Sequence, residues 1–525
     1  MKRPGLILAA VCLPVFLGAL DLTIVSAVLP AVVADLQVPL QTGLDTAAWA
    51  VSGYLLAYAV SMTFMGRVSD LWGRRRVYLL CLIIFFLGSW WVAASPGVPA
   101  QIAYRVARIL AGGRPDRSLM ALYALIFGRV VQAFGAGAMV PVSMALVADL
   151  YPPARRALPL GLVGAVDTAG WVLGHLYGGI MVQFFAWPFL FWINLPIIVL
   201  FFAVTAWALK GLEEKHARAS LDWVGVLWIT LALTGLNLGL GSGETGEAGA
   251  RTGSALTLPA LILGLVAFGL FLWHERRAAE PLINLGLFKN RNISAASALN
   301  LLVGFCLMVG LVSVPLFINV AGAKDRAQGA LVSGYLLSAF TVPLALAALP
   351  GGWLALRRGY RVTALLGMLM AVAGFGLMTF WRSEMAAQAV ALFTAGPAPE
   401  AAGGTLRMVA GLALAGIGLG LTIAPIGTAV INGVGESERG IAAATVIILR
   451  LIGMSLSVSA LTAYGLRRTT EISAELLQGA SPTDLARMAE AGLQAVTRVT
   501  VEMAWIALAV AAAALIPALL LRKDE

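Results

Sequence analysis

The sequence predicts an all-α integral membrane protein with fourteen membrane-spanning helices, and three observations carry that expectation. Only 12% of its 525 residues are charged and 60% are hydrophobic, whereas a soluble domain carries about 25% charge. Its mean hydropathy is strongly positive. Apolar runs of roughly 20 residues recur from end to end, each long enough to cross a hydrocarbon core of about 30 Å. Backbone amides in lipid must pair within their own segment, so each run reads as a helix.

The runs place spans at 6–34, 47–66, 77–95, 119–148, 157–183, 187–209, 223–241, 254–273, 293–321, 328–349, 361–381, 405–432, 440–466 and 498–521. An even count puts both termini on one side. With the termini in the cytoplasm, the inner loops hold about 21 Lys and Arg and the outer loops about 13, the bias of a multi-pass cytoplasmic-membrane protein. Arg105, Arg108, Arg114 and Arg117, in the outer segment 96–117, run against that bias. The first run, broken only by Asp21, is too long for the core of a cleaved leader and is kept as a span.

A net charge of +10 could suggest nucleic acid, but the basic residues are scattered through short loops, so orientation explains them and no nucleic-acid partner is expected. Cys12, Cys81 and Cys306 lie inside apolar runs without metal or disulfide spacing and read as packing residues. No metal or organic cofactor is implied. A membrane enzyme would need an interfacial catalytic cluster, and three histidines without paired carboxylates or a phosphate-cradling loop supply none.

The chain repeats itself. Gly66 and Gly73 enclose the same interval as Gly352 and Gly359, each pair following the second span of its half. A second echo relates Arg156, Asp167 and Gly170 to Arg439, Arg450 and Gly453 at one constant offset. Two homologous halves are therefore expected, a six-helix bundle over 1–209 and another over 291–525, joined by a two-helix linker over 210–290.

Three stretches resemble the major facilitator superfamily, in its fourteen-helix drug and proton antiporter branch. Residues 66–76 carry the loop signature in Gly66, Asp70, Gly73, Arg74 and Arg75; residues 20–25 with Leu29 and Pro30 fit the first-helix signature; residues 128–135, with Arg129, fit that of the fourth helix. Gly170, Gly174, Gly178 and Gly179 fit the fifth-helix antiporter signature, with His175 in place of its usual proline. These glycines keep a close-packing role, while the proline kink is put in doubt. A closer resemblance, carried by residues 191–196, 440–444, 450–454 and 460–466, is to the mycobacterial triacylglyceride exporters, which work with a lipid-carrying lipoprotein.

The resemblance implies two rocking bundles that exchange protons for cargo, with protons as the only coupling species. A charge at the bilayer centre costs about 2.5–3.5 kcal/mol, so Asp21, Arg129, Asp167 and Arg450 each need a purpose. Asp21 with Arg129 reads as a proton-coupling site or as a permanent ion pair. Asp167 and Arg450, on symmetry-related helices, read as a gating charge pair or as a static one. Asp70, near a helix N-terminus, reads as a conformational latch, with the arginines beside it equally able to fix topology. His175 reads as a titrating group or as a satisfied hydrogen-bonder. The central portions of the cavity-lining helices are mostly Leu, Val, Ala, Gly and Met, with Asn300 a minor exception, which suits a hydrophobic or lipid substrate better than a sugar. Export of lipid such as triacylglyceride is the expected function, with multidrug efflux as the alternative. Beyond membrane lipids, an extracytoplasmic lipid-binding lipoprotein is the partner the resemblance suggests.

Two outer segments stand apart. Ser481, Pro482 and Asp484 read as a helix start, and a helix from there to Leu521 would be about 60 Å long, so the last two helices are expected to project outward around 467–500. Residues 382–404 are expected to form an outer turn.

Overall fold

The structure is a computed structural model, and it describes residues 4–38, 40–111, 115–212, 222–241, 257–278, 281, 285–321, 326–395, 399–478 and 485–522. The helices are α1 Pro4–Asp35, α2 Leu40–Trp72, α3 Arg74–Ala93, α4 Val98–Ala111, α5 Arg117–Leu150, α6 Ala157–Phe184, α7 Pro188–Ala208, α8 Trp223–Gly241 and α9 Thr257–Glu275. They continue as α10 Arg291–Ala321, α11 Arg326–Arg358, α12 Tyr360–Met378, α13 Ser383–Ala395, α14 Pro399–Asn432, α15 Arg439–Leu476, α16 Leu485–Ala513 and α17 Leu515–Leu520. Thirteen of the fourteen expected spans fall, over their described residues, on one helix each, and the last, 498–521, is shared between α16 and α17. Among the described residues ten helices are long and apolar enough to cross a membrane on their own, which makes this a multi-pass membrane protein.

Three features differ from expectation. Segment 96–117 contains an amphipathic helix, α4, rather than open loop. The expected turn at 382–404 is mostly helix, α13 and the start of α14, with 396–398 outside the described residues. The single long terminal helix breaks at Ala514, because Pro517 has no amide to give the Ala513 carbonyl. The start signal at Ser481, Pro482 and Asp484 lies outside the described residues.

The chain divides into two compact units. The first comprises Met1–Gly249, Gly253–Asn290 and Val430–Ile448, the second Ala250–Thr252, Arg291–Ala429 and Leu449–Glu525. In the first, α1 runs along α6, while α2 and α3 both pack on α5; in the second, α16 packs on α10 and α12. A buried apolar cluster joins five helices of the first unit, with Leu20 and Ile24 of α1, Ala50 of α2, Val92 of α3, Leu125 of α5 and Phe191 of α7.

The internal repeat is visible in the backbone. Gly73 (φ 96°) and Gly359 (φ 87°) each form a one-residue link, between α2 and α3 and between α11 and α12, in a left-handed conformation that side chains disfavour. The second echo is a packing motif. A Cβ on Gly170 would stand 2.6 Å from the Phe16 carbonyl oxygen and 2.9 Å from the Leu20 nitrogen, on the first helix of its unit. One on Gly453 would overlap the Leu301 carbonyl oxygen of α10. Gly174 faces Leu20 and Thr23 even more tightly. Lipid gives helices no hydrophobic reason to associate, so close backbone approach across small residues supplies much of the contact.

Adding a methyl at these seams overpacks them, by about 1–3 kcal/mol each. Gly170→Ala, Gly174→Ala and Gly453→Ala are each expected to lower the melting temperature of the purified protein. Gly269→Ala, where nothing lies within 4 Å of the added carbon, is expected to leave it unchanged or raise it. Equal melting temperatures for all four variants would contradict the packing account.

Candidate functional site

Five helices of the first unit supply a buried polar cluster. Asp21 of α1 and Arg129 of α5 are both fully buried and form an ion pair, Arg129 Nη1 donating to Asp21 Oδ2. Arg129 Nη2 also donates to the Asp21 carbonyl at 3.2 Å and Nε to the Ala50 carbonyl of α2 at 3.4 Å. The guanidinium carbon lies 3.9 Å from the centre of the Tyr54 ring, also on α2, a cation–π contact in a dry setting. Tyr54 in turn donates to the Gly18 carbonyl at 3.2 Å. A buried charge persists only when paired and hydrogen-bonded, and each Arg129 nitrogen has a carbonyl, carboxylate or amide oxygen as acceptor.

The second carboxylate oxygen of Asp21 accepts from Asn194 of α7 at 3.2 Å. Gln132, one turn after Arg129, accepts from its Nη1 at 2.7 Å and donates to Ser89 of α3 at 2.8 Å, which hands the chain on to the Phe85 carbonyl at 2.8 Å. The expected Asp21 and Arg129 are thus brought together. Sequence reasoning missed the roles of Tyr54, Gln132 and Asn194. Gln132 was findable, since residues three apart share a helix face. Asn194 carried a weaker signal as a buried polar residue in an apolar span, and Tyr54 none that set it apart from other aromatics.

A second cluster surrounds Asp70, at the end of α2 beyond the span at 47–66. Its carboxylate accepts from the Gly440 amide at 3.2 and 3.1 Å and from the Ile441 amide at 3.3 Å, so it caps the N-terminus of α15. Arg74 donates to Asp70 at 3.2 Å, to the Ala145 carbonyl at 3.0 Å and to the Glu436 carbonyl at 2.7 Å, and it also pairs with Asp149. Arg439 completes the ring, donating to Asp149 at 2.8 Å. Gly66 makes room for this seam, as a Cβ there would sit 3.0 Å from the Gly440 carbonyl. Gly73 supplies the turn that aims Arg74 back at Asp70. Arg75, partly exposed on the first turn of α3, takes no part in these contacts among the described residues. Burial pushes the Asp70 carboxyl up to about 6, outweighing Arg74 and the two amides.

Asp167 is buried on α6 in the first unit, and Arg450 is half-buried on α15 in the second. Gly170, Gly174 and Gly178 are buried on α6. His175 and Gly179 belong to the same helix, but their side-chain positions fall outside the described ones. The three cysteines are free and buried.

The sequence profile of the Major Facilitator Superfamily matches residues 11–458. The triacylglyceride transporter of Mycolicibacterium smegmatis is 33% identical over 472 residues, covering 89% of this chain and 77% of its own. That of Mycobacterium tuberculosis is 34% identical over 479 residues, with 90% and 85% covered. Among solved structures, the human organic anion transporter MFSD10 superposes with a TM-score of 0.55 at 15% identity, over 97% of this chain and 100% of that one. The proton:xylose symporter XylE, bound to 6-bromo-6-deoxy-D-glucose, gives 0.56 at 14%, over 97% and 95%. Those two likenesses establish a shared fold. With a profile match across most of its length and relatives above 30% identity, this chain belongs to the major facilitator superfamily and is a membrane transporter, not an enzyme.

Proposed function

We propose that this chain is a proton-coupled antiporter of the cytoplasmic membrane that exports an apolar lipid such as triacylglyceride, with fourteen spans and both termini in the cytoplasm. The observation that carries the coupling is the buried pair of Asp21 and Arg129. While Asp21 is ionised the pair is neutral and the site can stay dry. A proton on Asp21 leaves Arg129 as an unbalanced buried charge, which costs several kcal/mol. Arg129 stays anchored by Gln132, the Ala50 carbonyl and the Tyr54 ring. Relief then comes from admitting water or a changed helix arrangement, and that ties proton uptake to conformational change. The relatives named triacylglyceride transporters support the lipid cargo. A lipid-binding lipoprotein outside the membrane is the acceptor that suits such a cargo.

Asp70 supplies a second, acid-sensitive element. Its carboxyl holds a proton more readily when buried against Gly440 and Ile441, near 6, than at its ordinary 3.8. The buried arrangement is therefore favoured fully below about 4, and the advantage is lost as pH rises through about 6.

In vesicles carrying the purified protein, an imposed pH gradient is expected to drive export of a fluorescent triacylglyceride. Asp21→Asn, whose single amide oxygen can accept from Arg129 but which loses the second acceptor that now meets Asn194, is expected to be less stable yet still to fold, and to reduce that flux to background. Arg129→Met strands the carboxylate and is expected to cost about 3–5 kcal/mol of stability. Flux that ignores the pH gradient, or that survives Asp21→Asn, would reject the coupling. Flux of cationic drugs alone would reject the lipid.

A thiol placed at Ala444, beside Gly66, reports on the Asp70 contact. After correction for thiolate content its alkylation is expected to slow as pH falls from 7 to 5, and to become pH-independent in Asp70→Asn. Faster alkylation in acid would reverse the sign assigned to Asp70.

A further inference from the structure

The helix α4, Val98–Ala111, has three distinct faces. Pro99 is buried and Ala103, Tyr104 and Ala107 are partly covered, forming the face packed on α5. Val98, Ile102, Val106 and Ile109, spaced four, four and three apart, share a second face, with Leu110 at its edge; all are exposed, Ile109 at 81% and Leu110 at 82%. Gln101, Arg105 and Arg108 form a third stripe beside it, also exposed, and no Asp or Glu occurs in the helix. Large aliphatic side chains this open do not stand in water without cost, so something apolar covers them.

The position of the helix says what. It starts five residues after the last residue of α3, through turns closed by the amides of Ala94 to the Trp90 carbonyl at 2.9 Å, Ser95 to Val92 at 3.1 Å and Gly97 to Ala94 at 2.8 Å. Trp90, in the last turn of α3, is exposed, and so is Tyr123 near the start of α5. Such aromatics mark the level where hydrocarbon meets headgroups. Arg117, opening α5, lies over the Tyr104 ring at 5.7 Å, which keeps α4 at that level. The helix therefore leaves one span and is tied to the next at headgroup depth.

We propose that α4 lies in the plane of the bilayer surface, its aliphatic face sunk among the acyl chains of the leaflet on its own side, and that Arg105 and Arg108 hold the phosphates of anionic phospholipids there. An apolar stripe flanked by arginines is the pattern of an interfacial helix. The occupant is the membrane's own lipid, since the two spans that α4 connects also expose large apolar side chains, Ile83 and Leu87 on α3 and Phe127 on α5. Each arginine near such a surface favours an anionic headgroup about fivefold.

The test uses the full chain with Cys12, Cys81 and Cys306 replaced by Ala and one thiol introduced, Ile109→Cys or Gln101→Cys, carrying a polarity-sensitive fluorophore in phosphatidylcholine vesicles with or without phosphatidylglycerol. The fluorophore at 109 is expected to be shielded several-fold from aqueous iodide relative to that at 101, and quenched by lipid spin-labelled near the headgroup. Quenching by spin-labelled phosphatidylglycerol is expected to exceed that by the phosphatidylcholine analogue, and the excess to vanish in Arg105→Gln/Arg108→Gln. Equal iodide access at both positions would overturn the proposal. Shielding without lipid quenching would do so too, pointing to a second copy of the chain, and shielding with no preference for phosphatidylglycerol would overturn the headgroup assignment. The readout is depth and lipid contact, so it stands whether or not lipid is the cargo.

Discussion

The first unit is organised around the problem of keeping one carboxylate and one guanidinium in a place that excludes water. Asp21 and Arg129 solve it jointly, yet neither could do so with the other alone. Arg129 has more donors than a single carboxylate can use, and the surplus goes to a backbone carbonyl on α2, the Asp21 carbonyl itself and Gln132. Asp21 has a second oxygen, which Asn194 meets from α7. The pair therefore fixes the relative register of α1, α2, α5 and α7, and through Gln132 and Ser89 that of α3 as well. A buried polar network of this kind is fully satisfied or it is a liability.

Around that network the fold depends on how near helix backbones can come. The glycines of α6 let α1 approach to contact distance, and the same geometry recurs where Gly453 of α15 meets α10. Repetition of the same seam in each unit follows from the repetition in the sequence. So does the paired left-handed turn at Gly73 and Gly359. Close seams and short links make each of these helix pairs a stiff element.

Much of this was legible in the sequence because bilayers impose a harsh filter. Length and hydropathy located the helical spans, since an apolar run of about 20 residues pairs its backbone groups within itself only as a helix. Motif residues such as Asp21, Arg129 and Asp70 stood out because charge is so rare in the chain. The partners were harder to see. Tyr54 and Asn194 come from helices whose rotation about their axes is set by packing rather than by any local pattern. Two connecting segments were misread for a related reason: 96–117 and 382–404 look like loops when judged by hydropathy alone, although α4 and α13 are short helices. Asp149 was invisible as a partner of Arg74 and Arg439 because their sequence separation gives no clue to proximity.

The acceptor at Asp70 meets main-chain amides, not side chains, at Gly440 and Ile441. Every residue except proline carries such an amide, so drift at position 441 can change the size and polarity of the side chain there while the contact persists. Position 440 is less free, because a larger residue would press on Gly66 and on the carboxylate itself. The recognition is thus written in backbone on one side and in a side-chain carboxylate on the other, so the contact places no demand on what side chain position 441 carries.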